Sequence, residues 1–217
     1  NPVFTIGKQL DEVFFIHLKS SKKEAKEKTL EILSRVKLPH PEKIYGLYPH
    51  ELSGGMRQRV MIGMAIACSP SLLIADEPTT ALDVTIQMEI MKLFERIQEK
   101  SRSILFISHN LLLVKEFSHQ IAIMYLGEIL EQADSEEIFR NPLHPYTKGL
   151  LKAIPRIGTT EKLNEIPGFV PSIQNIPVGS CRFYDRCDYK MPVCLQSHPE
   201  LKGNSKHTVR CFLYEKN

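Results

Sequence analysis

Apolar residues recur at helical spacing over residues 21–36, where Ala25, Thr29, Ile32, Leu33 and Val36 share one face. Ser21 and Glu24 form a capping-box pattern at its start, and Pro39 and Pro41 end it. A second helix is expected from Ser53 through Met56, Val60, Met64 and Ala67, up to the Ser69-Pro70 break. Leu72-Leu73-Ile74-Ala75 is then a short continuous apolar run, the mark of a strand buried on both faces. Residues 84–100 return to helical spacing, and residues 103–108 read as a second buried strand. A short helix over 111–117 and a further strand over 120–125 follow.

Strands alternating with helices predict an α/β fold whose sheet is parallel in its core. Open sheets of this kind bind ligands beyond the carboxyl ends of their strands. Asp76-Glu77 and Ser108-His109 lie at two such ends and are candidates on that ground alone. Past Pro155 the periodicity fades, and Pro167, Pro171, Pro177 and Pro192 punctuate the chain. A linker is expected from Pro155 to Gly168 and a small cysteine-bearing module from Pro171 to Asn217. No internal repeat is present. The chain divides on this reading into a main domain over residues 1–155 and an extension over 156–217.

Composition narrows the class. The 217 residues are 42% hydrophobic and 24% charged, which excludes a disordered or collagen-like chain. A formal charge of +3 is too weak to argue for nucleic acid as a partner. The longest apolar-leaning stretch, Val60 to Ala67, is far short of the roughly 18–20 residues needed to span a bilayer, so a membrane role is expected to pass through a partner. The start shows no signal-peptide pattern; it opens at Asn1-Pro2-Val3 without an initiator Met, as a fragment or processed product would.

Three segments carry chemistry. In Leu52-Ser53-Gly54-Gly55-Met56-Arg57-Gln58-Arg59, two glycines at a helix mouth let the backbone approach an anion, and the exposed N–H groups and helix dipole favour phosphate. Ser53 adds a hydroxyl donor. An apolar strand ending in Asp76-Glu77 delivers two carboxylates to one edge of a sheet. Asp76 is placed to hold Mg²⁺ and Glu77 to polarise an attacking water. His109 ends the next strand, where it is placed to meet a γ-phosphate and orient that water.

These segments resemble the motifs of ABC ATPases. Leu52 to Arg59 looks like the signature motif, Leu72 to Glu77 the Walker B strand with its catalytic glutamate, Ala81-Leu82-Asp83 the D-loop, and His109 the switch histidine. The resemblance implies a P-loop NTPase-like core with a helical signature subdomain over about residues 10–68 and a Walker B to switch region over about 69–130. Catalytic roles fall to Glu77 and His109, and nucleotide contacts to Ser53, Gly54, Gly55, Asp76 and Asp83. Asn141 to Leu151, Ile166-Pro167-Gly168, Val170-Pro171-Ser172 and Cys181-Arg182-Phe183 resemble the extension of ATPases serving dipeptide and oligopeptide importers, a feature that nickel importers share. The family then implies ATP and Mg²⁺, a second ATPase subunit, two membrane-spanning permease subunits, and indirectly an extracytoplasmic binding protein, at the cytoplasmic face of the inner membrane. A nickel importer and a non-catalytic partner subunit are the alternatives.

One departure stands out. The sequence contains no G-x-x-x-x-G-K-[ST], the loop that cradles the β- and γ-phosphates. By itself the chain is therefore expected not to bind ATP tightly in cis, but to present Ser53, Gly54 and Gly55 to a nucleotide held by a partner.

The cysteines are uneven: Cys68 stands alone on the apolar face of the signature helix, where a buried small residue is expected. Cys181, Cys187, Cys194 and Cys211 crowd the tail without the short knuckle of common zinc sites, so spacing leaves the metal open. The resemblance implies a [4Fe–4S] cluster on these four thiols; zinc, or free thiols and disulfides, are the alternatives. Arg182, Arg186, Lys190 and Arg210 either screen such a cluster or form a solvated basic surface.

Overall fold

The computed structural model describes residues 1–80, 82–98, 102–155 and 165–215. The chain forms two compact units, Asn1–His109 and Asn110–Asn217. The expected division near residue 155 is not where these units part.

The first unit begins with three packed helices, α1 (Ile6–Leu18), α2 (Lys22–Arg35) and α3 (Pro41–Gly46). Thr5 caps α1 by accepting from the Lys8 N–H, and Ser21 and Glu24 form the expected capping box on α2. Leu10, Phe14, Ala25, Ile32 and Leu33 are buried among them. So is the carboxylate of Asp11, which accepts from Thr29 Oγ1 at 2.6 Å and from the Tyr45 hydroxyl at 2.5 Å, one bond to α2 and one to α3. Burial and that acceptor raise the Tyr45 phenol to about 12.

Helix α4 (Gly54–Ile66) lies close on α2, since a Cβ at Gly63 would come within 2.9 Å of Ile32. Its buried stripe is Val60, Ile62, Gly63 and Ile66. Cys68 is exposed, against expectation, because α4 has already ended at Ile66 and Cys68 lies in the turn beyond.

Strand β1 (Leu72–Asp76), helix α5 (Val84–Ile97) and strand β2 (Ser103–Ile107) complete the unit. The strands pair in parallel, Leu72 opposite Ser103 through Asp76 opposite Ile107. Phe94 of α5 meets Phe106 of β2 edge-on at 6.4 Å. The expectation that β1 is buried on both faces is not met. Leu73 and Ala75 are buried, whereas Leu72, Ile74, Leu105 and Ile107 are exposed, because this sheet has two strands and no layer on its second face among the described residues.

The second unit holds helix α6 (Leu111–Phe117), the hairpin β3 (Gln120–Tyr125) and β4 (Glu128–Asp134), and helices α7 (Ser135–Arg140) and α8 (Pro145–Lys152). It ends with the one-turn α9 (Val193–Gln196), β5 (Lys202–Gly203) and β6 (His207–Val209). Its sheet is antiparallel in the order β3-β4-β6-β5, so residues 120–125 do not extend the parallel pair. The hairpin turns at Leu126 and Gly127, both at positive φ (46° and 81°), which is the turn geometry that matches strand twist. Glu131 of β4 stands opposite Val209 of β6 in register. The cysteine-bearing tail therefore shares a sheet with the residues before it. Residues 156–164 of the expected linker lie outside the described residues.

Candidate functional site

Two strand ends make the site. The parallel register of β1 and β2 sets Asp76 beside Ile107, so the residues that follow each strand emerge at the same edge. The Glu77 N–H donates to the Ile107 carbonyl at 2.9 Å and holds the chain there. Glu77 adopts φ 46°, a left-handed conformation that costs a side-chain-bearing residue about 1 kcal/mol or more. The bend turns its carboxylate toward the second strand end. Oε1 lies 2.8 Å from His109 Nδ1 and accepts from the His109 backbone N–H at 3.1 Å. Oε2 accepts from Thr80 Oγ1 at 2.7 Å. These donors, Thr80 first and His109 next, hold the Glu77 carboxyl below its ordinary range. The arrangement is a solvent-accessible, ionised carboxylate fixed between a hydroxyl and an imidazole.

Asp76 ends β1 exposed at the same edge. Asp83 caps α5, accepting from the Ile86 N–H at 3.0 Å. Ser53 caps α4, accepting from the Met56 N–H at 3.3 Å, and its hydroxyl proton remains to donate. Gly54 and Gly55 form the first turn of α4. A Cβ at Gly55 would come within 2.8 Å of Ile86, so this glycine is required for close packing on α5 as well as for backbone approach to an anion. No hydrogen bond joins Ser53 to Glu77 or His109 among the described residues. The structure thus brings Glu77 and His109 together, while the glycine-rich helix mouth packs on Leu82 and Ile86 around the start of α5. Ala81, in the segment that resembles the D-loop, lies outside the described residues.

Thr80 was not among the residues singled out from sequence. The signal was present: a hydroxyl three positions after Glu77, in a turn where the Thr80 N–H also donates to the Glu77 carbonyl at 3.2 Å.

In the second unit Cys181, Cys187, Cys194 and Cys211 line one small cavity with His144, Phe183 and Tyr189. The Cys181 N–H donates to the Cys194 carbonyl at 2.8 Å. Burial raises the Cys181 and Cys211 thiols to about 11 and moves Cys187 the same way. Among the described residues no group of three or more His, Cys, Asp or Glu side chains is gathered closely enough to hold a metal ion. Three of the four cations around the thiols clip loops instead. Arg182 pairs with Glu128 at 2.8 Å, Arg186 donates to the Pro167 and Ile166 carbonyls, and Arg210 donates to the Ile129 and Pro199 carbonyls.

The profile of the ABC transporter family matches residues 3–80, and that of the oligopeptide/dipeptide transporter C-terminal region matches residues 130–194. The oligopeptide transport ATP-binding protein AppD of Bacillus subtilis is 50% identical over 218 residues, 99% of this chain and 66% of its own length. A putative peptide import ATP-binding protein of Brucella ovis is 47% identical over 224 residues, again 99% of this chain and 66% of the relative. The chain belongs to the ABC transporter ATP-binding family. It spans 66% of the length of these curated relatives. The fold agrees: a dimeric bacterial ABC transporter cassette matches with a TM-score of 0.54 at 27% identity, covering 62% of this chain and 58% of that one. No helix among the described residues of this ABC family member is long and apolar enough to cross a membrane.

Proposed function

We propose that this chain is part of the ATP-hydrolysing subunit of a bacterial ABC importer that drives uptake of di- or oligopeptides. The observation that carries the reading is the Glu77–His109 pair, at 2.8 Å, at the adjoining ends of two parallel strands. An ionised carboxylate in that position takes a proton from a water as it attacks the γ-phosphate, and His109 and Thr80 keep it aimed. Asp76 supplies a carboxylate for Mg²⁺, which neutralises phosphate charge when bound. Ser53 with the N–H groups of Gly54 and Gly55 closes on nucleotide held by a second ATPase subunit. Asp83 fixes the start of α5 against that mouth. Peptide as cargo is supported by the names of the relatives, among them the dipeptide transport ATP-binding protein DppD of Haemophilus influenzae, 46% identical over 213 residues. Permease subunits at the inner membrane then receive the motion of closing and opening. Glu77→Gln in the assembled transporter tests the reading: ATP turnover should fall while nucleotide binding persists, and undiminished turnover removes Glu77 from its role.

The four tail cysteines are proposed to hold a [4Fe–4S] cluster. What supports this is that all four cysteines line one small cavity. Because burial raises the Cys181 and Cys211 thiols, loading would release protons from them and favour higher pH. Absorbance near about 400 nm with iron and sulfide analysis of anaerobically prepared protein checks it; colourless protein with stoichiometric zinc overturns it.

A further inference from the structure

The second unit contains a cleft of about 250 Å³ between α8 and the segments 165–167 and 183–189. Lys148, Gly149 and Lys152 line it from the helix, and Glu165, Arg186 and Asp188 from the two segments. Lys148 and Lys152, four positions apart, share one face of α8. Gly149 between them lets the chain close in, since a Cβ there would come within 2.8 Å of Ile166. Phe183 and Tyr189 add aromatic wall.

Some charges of the cleft are held in place and others are idle. Arg186 donates from Nε to the Pro167 carbonyl at 2.9 Å and from Nη2 to the Ile166 carbonyl at 3.2 Å, which orients its guanidinium and leaves donors over. Lys148 Nζ donates to the Tyr214 hydroxyl at 3.0 Å. Lys152, Glu165 and Asp188 are exposed and form no hydrogen bond or ion pair among the described residues. Opposite charges that line one cleft without pairing leave both signs available to a third body. The volume lies just below the roughly 300–1,000 Å³ of pockets for drug-sized ligands, which sets that body at about the size of a dipeptide.

We propose that this cleft binds a zwitterion of dipeptide size, with its carboxylate at Arg186 and Lys152 and its ammonium at Asp188 and Glu165. A guanidinium already fixed by two of its donors loses little freedom on meeting a carboxylate. Charge balance selects the class of ligand. Lys148, Lys152 and Arg186 stand against Glu165 and Asp188, so the acids repel a simple anion and the cations repel a simple amine. A molecule that carries both ends meets a partner at each. Phe183 and Tyr189 leave room for short apolar side chains between the charged ends. The site rests on its own lining, and its failure would leave the ATPase reading and the Glu77→Gln test untouched.

The test is titration calorimetry of the purified chain with L-alanyl-L-alanine. The N-acetylated and the C-amidated dipeptide, each lacking one charge, should bind about tenfold more weakly or worse, the scale of a lost hydrogen bond to a charged group. Lys152→Met and Asp188→Asn should each weaken binding of the free dipeptide to a similar degree. Both should leave the melting temperature unchanged, because neither side chain is hydrogen-bonded within the described fold. No binding in the millimolar range overturns the proposal, as does binding that ignores both substitutions. Phosphate or acetate competing as well as the dipeptide would show a site for anions alone and overturn it too.

Discussion

Glu131 and His207, 76 residues apart in sequence, meet at 2.8 Å, and the acid is wholly buried. Its Oε1 also accepts from the Leu143 N–H at 2.6 Å, and its Oε2 from the His144 N–H at 2.9 Å. One side chain on β4 thus fastens the loop ahead of α8 and the strand β6. Glu131→Ala would strand these donors without partners and should cost about 3–5 kcal/mol of stability. Glu131→Gln keeps an acceptor and should cost less. Denaturant titration of both variants, followed through the tyrosines of the second unit, checks the order.

His144 predicts a pH dependence. Burial lowers its ring to about 4 from an ordinary 6.5, and its Nδ1 accepts from the Tyr146 N–H at 3.0 Å. The folded state therefore favours the neutral ring, while the unfolded chain takes up a proton below 6.5. Stability should be unaffected by this group above that value, fall as pH drops from about 6.5 to 4, and level below, a loss of up to about 3 kcal/mol. His144→Gln should flatten that part of a melting-temperature profile.

Glu77→Gln should lower ATP turnover of the assembled transporter about a hundredfold or more, the usual scale for a lost general base. Thr80→Val should act more mildly and in a diagnostic direction. Without that hydroxyl the Glu77 carboxyl loses the donor that most lowers it, so the acid limb of the rate profile should move to higher pH. An unshifted profile removes Thr80 from the site.

Gly55→Ala should destabilise by about 1–3 kcal/mol, because the added methyl meets Ile86 at 2.8 Å. Ile86→Ala alone should cost some packing, yet restore stability when combined with Gly55→Ala. A double-mutant cycle by thermal unfolding measures that coupling.

The placement of the candidate residues at two strand ends was legible in the sequence because they are local to motifs. Asp76 and Glu77 follow an apolar run that can only be a strand end, and His109 follows the next one. The capping box at Ser21 was legible for the same reason. Helix α1 was not read, although Thr5 and the spacing of Ile6, Leu10 and Phe14 announce it. The exposed face of β1 was misread because a continuous apolar run describes what a strand is suited to bury, and not which neighbours are present to bury it. Strand β6 could not be read at all: His207 to Val209 is three residues long, and its partner β4 lies more than seventy positions earlier. Glu131 had the same defect as a signal, since a lone acid in a strand reads as solvent-facing until its three donors arrive from elsewhere.

The strand order β3-β4-β6-β5 places β6, the last strand among the described residues, inside the sheet and not at its rim. A protein cut short just ahead of His207 would lose an interior strand and lay bare the hydrogen-bonding edge of β4, with Ala133 and Leu130 close beneath. Such an open edge invites pairing with a neighbouring chain. Truncation ahead of His207 should accordingly yield aggregates, and residues 207–209 should tolerate deletion far less well than a loop segment would.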